Sequence, residues 1–378
     1  MKTPVCDLLG VDVPIVAFTH CRDVVSAVTR AGGFGVLGAA GHTPEQLDVD
    51  MAWICDEVGD LPFGVDIIVP AKYEGKSDGE LSVGELKAMI PPGHRRFVDE
   101  MMERYGVPEL PPDDGAGTMA GQAEAPMTYA QAVPLMDVAF SYPIRLIVNA
   151  LGPPPPDMIE RAHDSGTLVA ALAGKRVHAE RHVAAGVDIV IAQGHEAGGH
   201  TGDIATMVLV PEVVDAVAPR PVLAAGGIAD GRQVAAALAL GAQGVWCGSV
   251  WLTTLEAETH PVVKEKFLAA SSSDTLRSRS RTGKPARQLR SAWTDEWEGP
   301  DSPGTLPMPL QPMLIAEASR RVDRAAMNSA NTGAVELANY FVGQVVGSMN
   351  ESISATRVVE NMIREYVDVM ERFDEMNA

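Results

Sequence analysis

The sequence lacks the features that define several common protein classes. No stretch approaches the ~20 consecutive apolar residues that a membrane-spanning helix needs. The first residues, MKTPVCDLLGVDVPI, do not form a positively charged segment followed by an apolar segment, which is the pattern of a secretory signal. Basic residues are few: 30 Lys and Arg stand against 50 Asp and Glu, and the net charge of −20 repels nucleic-acid phosphates and anionic lipid headgroups. We therefore expect a cytoplasmic protein that binds neither nucleic acid nor membranes.

Cysteine is also scarce. The chain has four cysteines and no C-x-x-C pair, which predicts buried free thiols rather than a disulfide or zinc framework. They are Cys6, Cys21, Cys55 and Cys247.

Short apolar runs that alternate with helical stretches are abundant. The runs are apolar throughout, as expected when both faces of a parallel strand are covered. About eight such strands close naturally into a (β/α)8 TIM barrel, an α/β fold. No strand precedes the G-x-G-x-x-G turn of a dinucleotide fold, which disfavours an open doubly wound sheet. The predicted strands are Ile15–Phe18, Gly35–Leu37, Phe63–Val69, Ile144–Val148, Thr167–Ala171, Val187–Ala192, Pro221–Ala224 and Gly244–Cys247.

The first interruption of this alternation of strands and helices lies within the main part of the barrel. We assign residues 1–255 to that main part, with an insertion at 71–135. The insertion contains a helical pattern, His94–Tyr105, followed by a stretch rich in Pro, Gly and Ala. Long segments of this kind in compact enzymes are usually covers or disordered insertions. Two interpretations therefore stay open, a lid over the barrel mouth and an inert insertion.

The second interruption predicts a smaller inserted second domain at residues 256–325. It begins with a helical pattern at Glu256–Ala270. Residues 326–378 then carry two amphipathic patterns, Val335–Met349 and Ala355–Phe373. We expect both to form helices that complete the outer ring of the barrel.

Two glycine-containing turns follow the last two predicted strands. Gly226 and Gly227 end the run P-V-L-A-A-G-G-I-A-D-G, and Gly248 and Ser249 end G-A-Q-G-V-W-C-G-S. Without a Cβ the backbone amides can approach an anion, and the following helix end adds favourable charge. Glycines that merely end strands are the alternative. Because the turns follow neighbouring strands late in a barrel, we predict one phosphate-sized site.

The loop A-Q-G-H-E-A-G-G-H-T-G-D at 192–203 is the second candidate site. It leaves a predicted strand, and the carboxyl ends of barrel strands hold catalytic residues. His195 and His200 are five residues apart, which does not match the helical spacing of a zinc motif, so we predict no metal site. A histidine that titrates near neutrality can abstract or deliver a proton. A surface histidine is the alternative to an active-site role for His200.

These motifs together resemble the FMN-dependent nitronate monooxygenase family, also called 2-nitropropane dioxygenase-like proteins. The similarity extends to P-F-G-V-D at 62–66, T-G-K-P-A-R-Q-L-R at 282–290 and F-V-G-Q-V-V-G at 341–347. Flavin-dependent enoyl-acyl-carrier reductases and NAD(P)H:quinone reductases are close relatives of that family. The resemblance covers most of the chain apart from residues 71–135.

The resemblance implies an FMN site and an active-site histidine, His200. The phosphate of FMN would lie on the amides of the two turns, and Gln193 and Gly194 would line the flavin ring or ribityl chain. The cofactor-binding residues that it implies are Ala17, Phe18, Asp66, Gln193, Gly194, Gly199, Gly226, Gly227, Gly248 and Ser249.

The chain departs from the family pattern at two places near the expected flavin ring. The family's A-P-M segment reads A-F-T-H-C at 17–21, and its Asn after P-F-G-V is Asp66. An ionised carboxylate only accepts hydrogen bonds, whereas an amide also donates them.

Three functions follow as hypotheses. In the first, a small-molecule nitronate and molecular oxygen react at FMN to give a carbonyl compound and nitrite. In the second, an NAD(P)H-dependent FMN reductase acts on quinones or enoyl thioesters. The basic run from Arg277 to Arg290 supports this one if it binds a dinucleotide, and a solvated or salt-bridged helix face is the other interpretation of that run. In the third, the protein binds flavin without turnover.

Overall fold

The computed structural model describes residues 1–69, 83–111, 129–328 and 330–378. Eight parallel strands form a closed barrel, the TIM barrel that the apolar runs predict, and each predicted strand overlaps an observed one. The barrel strands are β1 (Ile15–Thr19), β2 (Phe34–Gly38), β3 (Gly64–Asp66), β4 (Leu146–Asn149), β5 (Leu168–Ala173), β6 (Ile189–Gln193), β8 (Val222–Ala225) and β9 (Gly244–Cys247). Three further strands, β7 (Gly199–His200), β10 (Thr275–Ser278) and β11 (Ala286–Leu289), form a second sheet in the order β10-β11-β7.

Helices follow most of the barrel strands, and other helices close the amino end of the barrel or form a second lobe. Those of the first half are α1 (Pro4–Leu9), α2 (Arg22–Arg30), α3 (Pro44–Val58), α4 (Val83–Ala88), α5 (Pro92–Arg104), α6 (Tyr129–Phe140) and α7 (Pro156–Asp164). Those of the second half are α8 (Arg176–Ala185), α9 (Thr206–Val217), α10 (Gly231–Ala239), α11 (Pro261–Ala269), α12 (Ala292–Glu298), α13 (Leu310–Ala326), α14 (Thr332–Leu337) and α15 (Ala355–Asn377).

The interior of the barrel is a packed apolar core that is closed at its amino end. Alternate residues of each strand point inward, and Val5 and Leu9 of α1 join this interior cluster. The guanidinium of Arg145 donates from Nε and Nη2 to the carbonyl of Leu8 at 3.0 and 2.7 Å, which ties α1 to the barrel. The carboxyl ends of the strands are therefore the end where a ligand site can form.

A second lobe has its own hydrophobic cluster. Residues of α5 pack there against residues of α11, α12, α13 and α14. Strand β7 belongs to the loop that leaves β6 but pairs with β11 of this lobe, so the second sheet fastens a barrel loop to the lobe. The division of the chain at residues 255 and 325 stays a prediction.

The two C-terminal patterns have different structures. Ala355–Phe373 lies within α15, which packs beside α10 and α2 on the barrel. The pattern at Val335–Met349 is not one helix, because α14 ends at Leu337 and a 3-10 helix, Gln344–Ser348, follows after a break. The intervening chain instead bonds to other segments, as in the bridge between Gln288 and Phe341. Its apolar residues pack in the second lobe and not on the outer ring.

The helix predicted at Glu256–Ala270 and the predicted free cysteines are present with small differences. α11 begins at Pro261 rather than Glu256, since proline is favoured in the first helical turn. All four cysteines are free, and only Cys55 is partly exposed. None of the helices in the described ranges is both long enough and apolar enough to span a bilayer. Much of the proposed lid, at 70–82 and 112–128, lies outside the described residues.

Closure of the outer ring predicts a steric effect at Gly231. A Cβ there would lie 2.2 Å from the carbonyl oxygen of Met362 in α15. Gly231→Ala is therefore expected to lower the free energy of unfolding by ~1–3 kcal/mol, measured by urea denaturation. Gly93→Ala is the control, because a Cβ on this helical glycine meets nothing within 4 Å. Equal stability of the two variants would contradict the packing described here.

Candidate cofactor and substrate site

Four backbone amides lie at the ends of two adjacent strands at the barrel mouth. Gly226 and Gly227 follow β8, Gly248 and Ser249 follow β9, and the two strands pair in parallel. Within the described ranges, none of these four N–H groups has an acceptor. Free amides on two adjacent turns suit an anion such as a phosphate.

The helix after β8 contributes less to this anion site than the sequence suggests. The carboxylate of Asp230 accepts from the amides of Arg232 and Gln233, each at 3.0 Å. The side-chain oxygen of Gln233 in turn accepts from the amides of Ala229 and Asp230 at 2.6 and 3.0 Å. This capping box satisfies the first turn of α10 from within the chain. Anion binding would therefore depend on the turn amides and not on the helix end.

Two different structural features explain why glycine occurs at these turns. Gly226 and Gly227 have φ of +94° and +75°, which side chains rarely adopt. A Cβ on Gly226 would lie 3.0 Å from the carbonyl of Gly194, and one on Gly194 would lie 2.0 Å from Thr206 Oγ1. A Cβ on Gly227 meets nothing closer than Glu196 Cβ at 3.5 Å. Gly226 and Gly194 thus allow two loops to touch, while Gly227 adjoins space that a ligand can enter.

Glu196 fixes the loop that leaves β6. Its carboxylate accepts from the backbone amide of Thr206 at 3.0 and 3.1 Å and from the Thr206 hydroxyl at 2.9 Å. Its Oε2 lies 3.2 Å from Nδ1 of His195, and its carbonyl accepts the amide of Gln344 at 2.9 Å. An acidic group near the start of α9 is also favoured by the helix dipole. Glu196 therefore orients the loop and has its carboxylate committed to the protein.

His200 is held by pairing between the barrel loop and the second lobe. β7, which contains it, pairs antiparallel with β11. Its Nε2 lies 2.8 Å from Thr282 Oγ1. Burial, with a smaller contribution from the charge of Lys284, lowers the pKa of His200 to about 4. The imidazole is therefore neutral at physiological pH.

Sequence reasoning missed the residues that surround His200. Thr282 and Lys284 occur in T-G-K-P-A-R-Q-L-R, which the sequence indicates as a family-like motif and as part of the basic run but not as a neighbour of His200. The ring of Phe341 lies 6.3 Å from that of His200. Thr282 is 82 residues away along the chain, so no spacing pattern connects it with the histidine.

Aromatic rings form the floor of the barrel mouth. Phe18 stacks on Trp246 with ring centroids 5.8 Å apart and meets the ring of His20 edge-on at 5.2 Å. Gly38 makes room for them, since a Cβ there would lie 2.7 Å from the His20 ring. The side chain of Ala17 packs instead toward the outer helices. Of these two predicted residues, only Phe18 can present its side chain to the mouth.

Two predicted polar residues are the last residues of barrel strands. Asp66, the last residue of β3, is 3% exposed, and its Oδ1 has no hydrogen-bond partner in the described part of the chain. Burial raises the pKa of Asp66 to about 7. Gln193 ends β6 opposite Ala225 of β8. Gly199, with φ +73°, is more distant along the loop and pairs with Arg287 in the second sheet.

The basic run forms a hairpin, not a helix, and most of its guanidiniums bond to the protein. Arg277 pairs with Asp203 at 2.5 Å and Arg290 with Asp295 at 2.8 Å. Arg281 donates from Nε to Asn339 at 2.9 Å, and Arg287 donates from Nε to the carbonyl of His195 at 2.9 Å. The internally bonded interpretation of this run is thus favoured over a dinucleotide site.

Comparison with known proteins identifies a matching family and similar structures. The nitronate monooxygenase family model matches residues 10–365. A Mycobacterium tuberculosis protein named as a candidate monooxygenase, Rv1533, is 59% identical over 370 residues, which cover 98% of each chain. The structure of nitroalkane oxidase from Streptomyces ansochromogenes is similar with a TM-score of 0.76 and 25% identity, over 98% of this chain and 99% of that one. FabK from Thermotoga maritima has a TM-score of 0.71 and 27% identity, over 100% of this chain and 99% of that one.

The open space at Gly227 predicts a selective effect on phosphate binding. Gly227→Ala is expected to weaken FMN binding at least tenfold, ~1.4 kcal/mol, because the new methyl group and the strained φ displace the turn amides. The measurement is an FMN fluorescence titration of the apoprotein.

Gly166→Ala is a matched control for this variant. Gly166 has nearly the same φ, +74° against +75°, but no atom lies within 4 Å of its Cβ position and it is remote from the turns in sequence. Both variants are expected to lose similar stability, while only Gly227→Ala weakens FMN binding. Equal FMN affinity in the two variants would exclude this turn as the phosphate site.

Proposed function

Because this chain belongs to the nitronate monooxygenase family, we propose that it oxidises alkyl nitronates with molecular oxygen to a carbonyl compound and nitrite. The chain is an FMN-dependent oxidoreductase. The observation that carries the proposal is a partly buried, neutral His200 held at the barrel mouth beside a lysine. Cytoplasmic location stays a prediction.

The residues at the mouth fit FMN. When bound, FMN supplies the electron acceptor of the reaction. The free amides on β8 and β9, together with the unfilled space at Gly227, support a phosphate site there. The Phe18 and Trp246 pair supports an apolar floor for a planar ring. We assign the phosphate to the amides of Gly226, Gly227, Gly248 and Ser249, and the ring or ribityl chain to Phe18, Asp66, Gln193, Gly194, Gly199 and the backbone of Ala17.

His200 is suited to hold an anionic substrate. The Thr282 hydroxyl has one proton and two possible acceptors, His200 Nε2 at 2.8 Å and the carbonyl of Lys284 at 3.2 Å. We assign the proton to the shorter contact, which leaves the imidazole proton on Nδ1. Nδ1 can then donate to an oxygen of a nitronate. The positive charge of Lys284, which helps to lower the pKa of His200, favours the same anion.

The same features favour a nitronate over a neutral nitroalkane. Use of a neutral nitroalkane requires a base that removes its α-proton, and such a base works best with a pKa near the working pH. His200, with a pKa of about 4, is a weak base. A substrate that is already ionised needs a donor at this position and not a base.

Anaerobic reduction tests the proposed reaction. A nitronate is expected to bleach the flavin absorbance, whereas NADH and NADPH are expected to leave it unchanged, because most guanidiniums of the basic run already bond to the protein. Stopped-flow absorbance measures both. Rapid bleaching by NAD(P)H would favour the reductase hypothesis, and a yellow protein that none of the three reduces would indicate flavin binding without turnover.

Substitution of His200 tests its assigned role. His200→Ala is expected to keep FMN and to lower kcat/KM for a nitronate on the order of ten- to a hundredfold, since a hydrogen bond to a charged group contributes ~1.5–3 kcal/mol. In the wild type, steady-state rates are expected to show no break near pH 6.5, because the imidazole of His200 gains a proton only as the pH falls toward about 4.

His178→Ala is the control for this variant, since His178 is an exposed residue of α8. Its turnover is expected to equal that of the wild type. Full turnover in His200→Ala with FMN retained would reject the role of His200.

A further inference from the structure

Asp66 is a buried acid directed into the barrel mouth. Gly64, two residues earlier on β3, packs against Phe34 and Leu146 of the interior cluster. Because strand residues two apart point to the same face, the side chain of Asp66 also points inward. It is 3% exposed, and it lies at the carboxyl end of its strand, where the barrel opens.

No charged group in the described part of the chain compensates this carboxyl. On one side, β2 presents Gly38, whose carbonyl bonds to the ring of His20 at 2.8 Å. Burial lowers the pKa of His20, so that ring is neutral near pH 7. On the other side, β4 presents Val148 and then Asn149, whose amide side chain is already bonded to the backbone of Val69.

The acid therefore has an incomplete set of hydrogen bonds. Its Oδ1 has no partner among the described residues, and the backbone amide of Ala150 only partly opposes the effect of burial that raises the pKa to about 7. A buried polar atom without a partner is costly, so this side chain would gain from a ligand that bonds to it. A neutral carboxyl group both donates and accepts a hydrogen bond, whereas its ionised form only accepts.

We propose that Asp66 binds the polar edge of the flavin ring as a neutral carboxylic acid, so that FMN binding takes up a proton at this side chain. That edge carries an N–H donor beside carbonyl acceptors, which a neutral carboxyl matches at both of its oxygens. The ionised form would leave a flavin carbonyl facing a buried negative charge. This inference rests on the FMN site of the proposed function.

An FMN titration between pH 6 and pH 8.5 tests the proposal. Because only the protonated form binds well, the wild-type Kd is expected to rise about thirtyfold across this range relative to Asp66→Asn, given a pKa of about 7. The ratio of the wild-type Kd to the Kd of Asp66→Asn is independent of the titration of the FMN phosphate, because that titration affects both proteins equally. Asp66→Asn is isosteric and always neutral, so its affinity is expected to match the wild type at pH 6.

Proton uptake gives a second measurement that needs no variant. Calorimetric titration at pH 8 in two buffers of different ionisation enthalpy is expected to show uptake of about one proton per FMN bound. The phosphate of FMN is fully ionised at this pH and adds nothing. Histidines with lowered pKa, among them His20 and His200, are neutral throughout.

Each outcome supports or overturns the proposal. A thirtyfold change in the ratio together with proton uptake supports it. A ratio that is independent of pH, or no proton uptake at pH 8, overturns it while leaving the FMN site intact. Failure of all proteins to bind FMN at any pH would overturn the FMN site and this inference together.

Discussion

The carboxylate of Glu196 is the contact on which the geometry of the barrel mouth depends. It fixes the start of α9 through Thr206, and the hydroxyl of Thr206 also contacts the carbonyl of Gly226 at 2.9 Å. One side chain thereby sets the distance between the loop after β6 and the turn after β8. The same loop continues into β7, which places His200 against the second lobe. The position of the imidazole relative to the turn amides thus follows from a few hydrogen bonds between elements remote in sequence.

Burial opposes the charged forms of two ionisable residues of the mouth. It raises the pKa of Asp66 to about 7 and lowers that of His200 to about 4, so Asp66 is only partly ionised and His200 is neutral at pH 7. The attraction for anions then comes from peptide N–H groups and from Lys284. This arrangement suits a protein of net charge −20, whose long-range field opposes the approach of an anionic ligand. Local, partly desolvated donors act at short range, where they are least screened.

The barrel could be predicted from the sequence because its strands are buried on both faces and therefore appear as continuous apolar runs. The turns after β8 and β9 could also be predicted from local sequence, because small residues end both strands. The sequence analysis does not predict the capping of α10 by Asp230 and Gln233, although the D-x-x-Q spacing is typical of a helix start. The helix expected at Val335–Met349 is wrong, because the apolar residues of this segment pack in the second lobe while its backbone bonds to other segments, as where Gly343 donates to Ser249 Oγ of the barrel at 2.8 Å. Such pairings between distant segments produce no periodic pattern in the sequence and cannot be predicted from it.

The arginines of the second sheet show how the lobe contributes to chemistry without contacting a ligand. Arg287 donates to the carbonyl of His195, and Arg277 donates to the carbonyl of Thr201 at 3.2 Å, so guanidiniums hold the loop on both sides of His200. A histidine on a glycine-rich loop would otherwise sample many positions, and the entropy lost on fixing it would reduce the binding energy available to the reaction. In this chain the loop is fixed during folding and not during substrate binding. In this chain a cluster of cations therefore serves to immobilise a neutral imidazole, which explains why a basic segment in an acidic protein need not mark a dinucleotide site.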